Sequence, residues 1–155
     1  MFEFRKPIMK LFCILIAVAY VHADQISQSY IIYQKDKAVI VRGFIDGKDI
    51  SFDKTEKAIH HAIEQLGKTG GEILLQNGDY LIEDQINLKS RISLKGSGPG
   101  TSLIMSENHK TGIAISGDTL DRIVVSTLSI KAPKNNTNAK VGILLDHCGD
   151  CQIKD

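Results

Sequence analysis

Thirty-six residues, Gly70 to Met105, restrict what this chain can fold into more than any other stretch. They hold short apolar runs at Ile73–Leu75, Tyr80–Ile82, Ile86–Leu88, Ile92–Leu94 and Leu103–Met105. Gly, Asn, Asp or Ser fills almost every gap. Each run is too short for a helix and has the pattern of a strand. Gaps of three to eight residues leave no room for crossover helices, which excludes a doubly wound sheet. A meander, a barrel or a coil of strands about one axis remains.

Before this stretch, residues 53–66 predict a helix. Asp53 and Glu56 have the spacing of a capping box. Ala58, Ile59, Ala62, Ile63 and Leu66 fall on one face, and Gly67 supplies a left-handed stop. Such a helix lies on something. His60 and His61 are adjacent and point about 100° apart, so they read as surface histidines rather than a joint metal grip. Tyr30–Tyr33 reads as an edge strand, Ala38–Val41 as the first regular strand, and Asp46-Gly47 as a turn.

After it, strand patterns recur. Ile92-Ser93-Leu94-Lys95, Leu128-Ser129-Ile130-Lys131 and Cys151-Gln152-Ile153-Lys154 share one motif, spaced by 36 and then 23 residues. Gly112-Ile113-Ala114-Ile115 and Gly142-Ile143-Leu144-Leu145 are 30 apart. Periods of this size belong to solenoids, whose coils bury their inner faces against neighbours. The long polar loop 132–139 carries Pro133 near its start, and Asn135-Asn136-Thr137 within it is a glycosylation sequon.

In order, these pieces resemble the N-terminal part of the pectate-lyase-like, right-handed parallel β-helix proteins. Ala58-Ile59 and Ala62-Ile63 match the A-I-x-x-A-I cap helix. Gly70-Gly71 and Ile73–Leu75 match the turn and strand that follow. Gln76-Asn77-Gly78-Asp79-Tyr80 stands where the family has P-x-G-x-Y, and Leu94-Lys95-Gly96-Ser97-Gly98 then Thr101-Ser102-Leu103 match its L-x-G-x-G corner and T-x-[IL] strand. The likeness covers about 47 residues well. Gln76 replaces the usual Pro, and the acidic lead-in shrinks to Ile45-Asp46-Gly47-Lys48-Asp49. The resemblance implies an all-β chain: a right-handed parallel β-helix (solenoid) behind an N-terminal capping α-helix. It also implies polysaccharide as partner, handled by a lyase, hydrolase or epimerase, with Ca²⁺ held by carboxylates on the outer face of one sheet. A non-catalytic adhesin or cell-envelope structural protein is the alternative of a different class.

Candidate site residues are few. Asp146, His147, Asp150 and Asp155 cluster near the end of the chain, and Asp146, His147 and Asp150 are the candidates for acid–base work. Alternation sends neighbours to opposite faces, so only some can share a groove; polar corner residues in water are the plainer reading. Cys148 and Cys151 leave three readings open: inward packing at a corner, a local disulfide, or a metal or redox role. A zinc site needs a second ligand pair, and a redox dithiol needs a helix N-terminus. Gly96, Gly98 and Gly100 suggest a phosphate loop, but strand pattern follows instead of helix, so a corner with positive φ explains them. No other cofactor is indicated.

Composition bears on address and partners. The chain is 43% hydrophobic and 24% charged with formal net charge +1, which fits neither a nucleic-acid footprint nor a charge-dominated disordered chain. Arg5, Lys6 and Lys10, an apolar run from Leu11 to Val21, and Val21-His22-Ala23 read as a secretory signal peptide over residues 1–23. Eleven apolar residues reach only about 16 Å as a helix, short of a bilayer core of about 30 Å. Without that leader the chain has 16 basic and 17 acidic residues. The expectation is a secreted or periplasmic protein with no membrane partner after cleavage. Residues 24–52 form a lead-in, and 53–155 the cap helix and first coils. With no polar cap visible at its end, the chain reads as the start of a longer protein or a truncated gene product, inactive and poorly soluble or self-associating by itself.

Overall fold

The computed structural model describes residues 28–135 and 137–154. The predicted signal peptide, Asn136 of the sequon and Asp155 lie outside them.

Three strands open the described chain: β1 (Ser29–Lys35), β2 (Ala38–Gly43) and β3 (Asp49–Phe52). Helix α1 (Thr55–Leu66) follows, and ten further strands come after it: β4 (Gly71–Leu75), β5 (Gly78–Ile82), β6 (Ile86–Asn87), β7 (Ile92–Gly96), β8 (Thr101–Met105), β9 (Ile113–Asp118), β10 (Val124–Ser126), β11 (Ser129–Lys131), β12 (Val141–Asp146) and β13 (Gln152–Lys154). From β4 onward, successive strands enter three sheets in fixed rotation. The first sheet has the order β13-β10-β7-β4-β1-β2-β3, the second β11-β8-β5 and the third β12-β9-β6. Every pairing among β4–β13 is parallel, and β2 and β3 extend the first sheet antiparallel. The chain is mainly β with one described helix and parallel sheets.

Register builds the core. Ile73 stands beside Leu94, Leu94 beside Val125, and Val125 beside Ile153. Tyr80 stands beside Leu103, and Leu103 beside Ile130. Ile86 stands beside Ile115, and Ile115 beside Ile143. The alternate residues face away from this core, as period two requires.

Helix α1 closes one end. It packs on β1–β4 of the first sheet, β5 of the second and β6 of the third. The predicted apolar face is buried, and Gly67 ends the helix at φ 55°. The capping box does not form. Lys54 is the N-cap residue with no side-chain cap, because the Asp53 carboxylate pairs with Lys57 at 3.0 Å and Glu56 turns inward. His60 and His61 are half-buried. His61 lies 5.1 Å from the Phe52 ring, and His60 accepts a backbone N–H from the third sheet.

Other expectations shift in detail. Tyr30–Tyr33 belongs to β1, which is no edge: it lies between β2 and β4, with Ile32 fully buried. Leu128–Lys131 does not align with Ile92–Lys95; β11 joins the second sheet, and it is Ile123–Ser126 that stacks on β7. The β9 and β12 offset is 28 residues, Ile113 on Val141, not 30. A slip of two keeps every side chain on its face, so hydrophobic pattern alone cannot detect it. Of the three corner glycines only Gly98 has a positive φ, at 151°. Gly96 is needed for close approach: a Cβ there meets the Thr127 carbonyl oxygen at 2.1 Å. Strand β8 follows these glycines, so no helix amides face a phosphate. No described helix is long and apolar enough to cross a membrane.

Candidate functional site

The turn from the third sheet back to the first repeats in each round and sets up the site. Non-glycine residues with left-handed backbone mark it: Arg91 at φ 67°, Thr119 and Arg122 at 53° and 55°, His147 and Asp150 at 47° and 55°. Backbone hydrogen bonds stack these turns. Arg91 N–H donates to the Asp121 carbonyl at 2.8 Å, Thr119 N–H to that of Asp146 at 3.1 Å, and Arg122 N–H to that of Gly149 at 2.9 Å.

Parallel pairing places Asp146, the last residue of β12, beside Asp118, the last of β9. The chain then passes to His147, whose left-handed φ folds its imidazole back over both acids. Nδ1 lies 3.2 Å from Asp146 Oδ1 and 3.4 Å from Asp118 Oδ1. The His147 N–H donates to Asp146 Oδ1 at 2.9 Å, and the Thr119 hydroxyl to Asp118 Oδ1 at 3.0 Å. One ligand atom from each of Asp118, Asp146 and His147 lies within 4.8 Å of the others, and all three residues are exposed.

Sequence reasoning named Asp146 and His147, and the structure brings these together. Asp150 sits at the far end of the same turn, outside the cluster. Asp118 was missed. The signal was its position 28 residues before Asp146, hidden by the assumed 30-residue offset. Two residues back along β9, on the same side of the strand, the Ser116 hydroxyl donates to Asn87 Oδ1 at 2.7 Å. Asn87 Oδ1 also accepts from the Gln85 amide at 2.8 Å, and the Asn87 N–H donates to His60 Nε2 at 2.9 Å. Burial holds His60 below the ordinary histidine range, against the opposing pull of Glu56, Glu64 and Asp84. A polar strip therefore runs from His60 through Asn87 and Ser116 to the acid–imidazole cluster.

Calcium, implied by the resemblance, fits this cluster poorly. Ca²⁺ takes six to eight oxygens, whereas one of the three donors here is an imidazole nitrogen. Two carboxylates and one nitrogen suit hydroxyl hydrogen bonding or a divalent ion that accepts mixed donors. Cys148 and Cys151 are joined as a disulfide with Cα atoms 6.0 Å apart. Both are half-buried and pack on the core. By register they occupy the places of Leu120 and Ile123 in the preceding round. A disulfide offers no thiolate to a metal.

No family model matches the chain, and comparison with curated proteins and with solved structures returns no match.

Proposed function

We propose that this chain is an exported, right-handed parallel β-helix of the pectate-lyase-like type, which binds polysaccharide along the outer face of its third sheet. The rotation of strands through three parallel sheets supports the architecture. The observation that carries the function is the strip itself. Asn87, Ser116, Asp118, Asp146 and His147 present amide, hydroxyl, carboxylate and imidazole groups on successive rounds about 4.8 Å apart. Carboxylates accept from vicinal hydroxyls and amides both donate to them and accept from them, and groups on neighbouring rounds reach neighbouring parts of a polymer. The step from fold to substrate class is analogy.

All three cluster residues are exposed, which favours holding a ligand over acid–base turnover. Catalysis belongs to the same reading only if Asp146 or His147 reaches a glycosidic oxygen or ring proton. An affinity-gel screen of the exported protein against neutral and acidic polysaccharides tests the proposal. Retardation by at least one polymer, lost in Asp118→Asn/Asp146→Asn, supports it; equal mobility in every gel sinks it. Unsaturated or reducing ends appearing in the same mixtures mark a lyase or a hydrolase. Retardation without new ends marks a non-catalytic adhesin or envelope protein.

A further inference from the structure

A second polar feature lies at the capped end. Between the start of α1 and the β5–β6 turn is an open cavity of about 380 Å³. Its wall includes Glu56, His60, Asp84, Gln85, Asn87 and Lys110, with Lys54 and Lys57 beside the helix start. Glu56 is only 6% exposed, and its Oε2 has no hydrogen-bond partner among the described residues. Buried carboxylate oxygens are normally paired with a protein group or a water, so this one calls for a donor from outside the described side chains. Glu56 is itself one of the residues that line the cavity.

The wall limits what that donor belongs to. It holds no Phe, Tyr, Trp or aliphatic side chain, which excludes an apolar ligand. A cationic amine would find one uncompensated partner there, Glu56, beside three ammonium groups. Each of them is already paired, Lys54 with Glu83 at 2.5 Å, Lys57 with Asp53 at 3.0 Å and Lys110 with Asp84 at 2.9 Å, so an anion has to displace an internal carboxylate. A neutral ligand rich in hydroxyls competes with none of these pairs. It donates to the carboxylates and accepts from the ammoniums and amides. The volume lies at the small end of ligand sites. We propose that this cavity binds one neutral pyranose ring, with Glu56 accepting a ring hydroxyl and Gln85 bonding a neighbouring one. Asn87 belongs to both the cavity and the strip, which makes the cavity a terminal subsite for a chain lying along the third sheet. The proposal rests on the saccharide reading for its choice of a sugar among neutral polyols.

Nitrogen-15 NMR of the full chain provides the test, with separate titrations of D-glucose, D-galactose and D-mannose, and of ethylammonium and inorganic phosphate in parallel. At least one sugar is expected to give saturable shifts of the Gln85, Asn87 and Lys110 amides, and ethylammonium none. Glu56→Gln is expected to weaken that sugar about tenfold, through loss of a charge-assisted bond. Gln85→Ala, at the rim and away from the core, weakens it several-fold while leaving the spectrum folded. Shifts with no sugar, sugar shifts equal in both variants, or saturation by phosphate or ethylammonium alone overturn the proposal. Polymer retardation that depends on Asp118 and Asp146, seen without any single-sugar shift, overturns the cavity and leaves the polysaccharide reading standing. Single-sugar shifts without polymer retardation do the reverse.

Discussion

The first and last rounds of strands share one register but not one environment. Along a single row of the first sheet, Ile73 and Leu94 are fully buried, Val125 nearly so, and Ile153 is 62% exposed. In the second sheet Tyr80 and Leu103 are buried and Ile130 only partly; in the third, Ile86 and Ile115 are buried and Ile143 partly. At the start, α1 covers the stack and β1 pairs with β4. At β13, β10 is the one paired neighbour among the described residues. The same apolar side chain is therefore worth different amounts by position, because each round is buried by the rounds on either side. Local chemistry follows suit: leucine and isoleucine at 120 and 123 give way to a disulfide at 148 and 151.

The sharpest way to break this comparison is to cut equal side chains from its two ends. Leu94→Ala removes a side chain packed on all sides and is expected to cost about 3 kcal/mol in urea unfolding. Ile153→Ala is expected to cost under about 0.5 kcal/mol. Similar costs at both positions mean that the last round is covered in solution. Reduction of Cys148–Cys151 comes next. A loop this short limits the loss to roughly 2 kcal/mol on the chain-entropy account. Hydrogen exchange is expected to quicken in residues 141–154 and to stay unchanged in 71–105. Quickening across both stretches makes the rounds one cooperative unit.

How much of this was legible follows from where the physics is local. The α1 face could be read because Ala58, Ile59, Ala62, Ile63 and Leu66 repeat at helical period, and Gly67 stops the chain. The strands of residues 70–105 could be read because turn residues separate them so tightly. Pairing could not. Apolar-polar-apolar-Lys fits β7 and β11 equally, yet they lie in different sheets. For the same reason Asp146 and His147 could be named, but Asp118 could not, since its place beside Asp146 depends on a 28-residue offset that alternation does not distinguish from 30. The capping box failed through competition: Lys57 claims Asp53, and packing claims Glu56.

A smaller effect tests what is special to the first round. The buried Tyr80 hydroxyl lies 2.9 Å from the Gln76 carbonyl and 3.1 Å from that of Ile32, where the next rounds place Leu103 and Ile130. Tyr80→Phe is expected to cost about 1 kcal/mol. Burial pushes this phenol up to about 12. The unfolded chain then loses its proton first, and stability falls as pH rises from about 10 toward 12. Tyr80→Phe is expected to remove that alkaline fall; a fall of the same size in the variant assigns it to other groups.

The smallest effect separates the two ends by acid. His60 fastens α1 to the third sheet by accepting the Asn87 N–H, which it can do only while neutral. Burial, the largest cause, lowers its proton affinity, and Lys89 adds to this, while Glu56, Glu64 and Asp84 oppose it. The unfolded chain therefore binds the proton first. The contribution of His60 is complete above the ordinary histidine range near 6.5 and drains as pH falls from there through the lowered folded value. His60→Asn is expected to flatten the stability profile in that window. If the variant keeps the wild-type slope there, the hold of α1 on the first round is not what the histidine senses, and the contrast between the ends loses its electrostatic half.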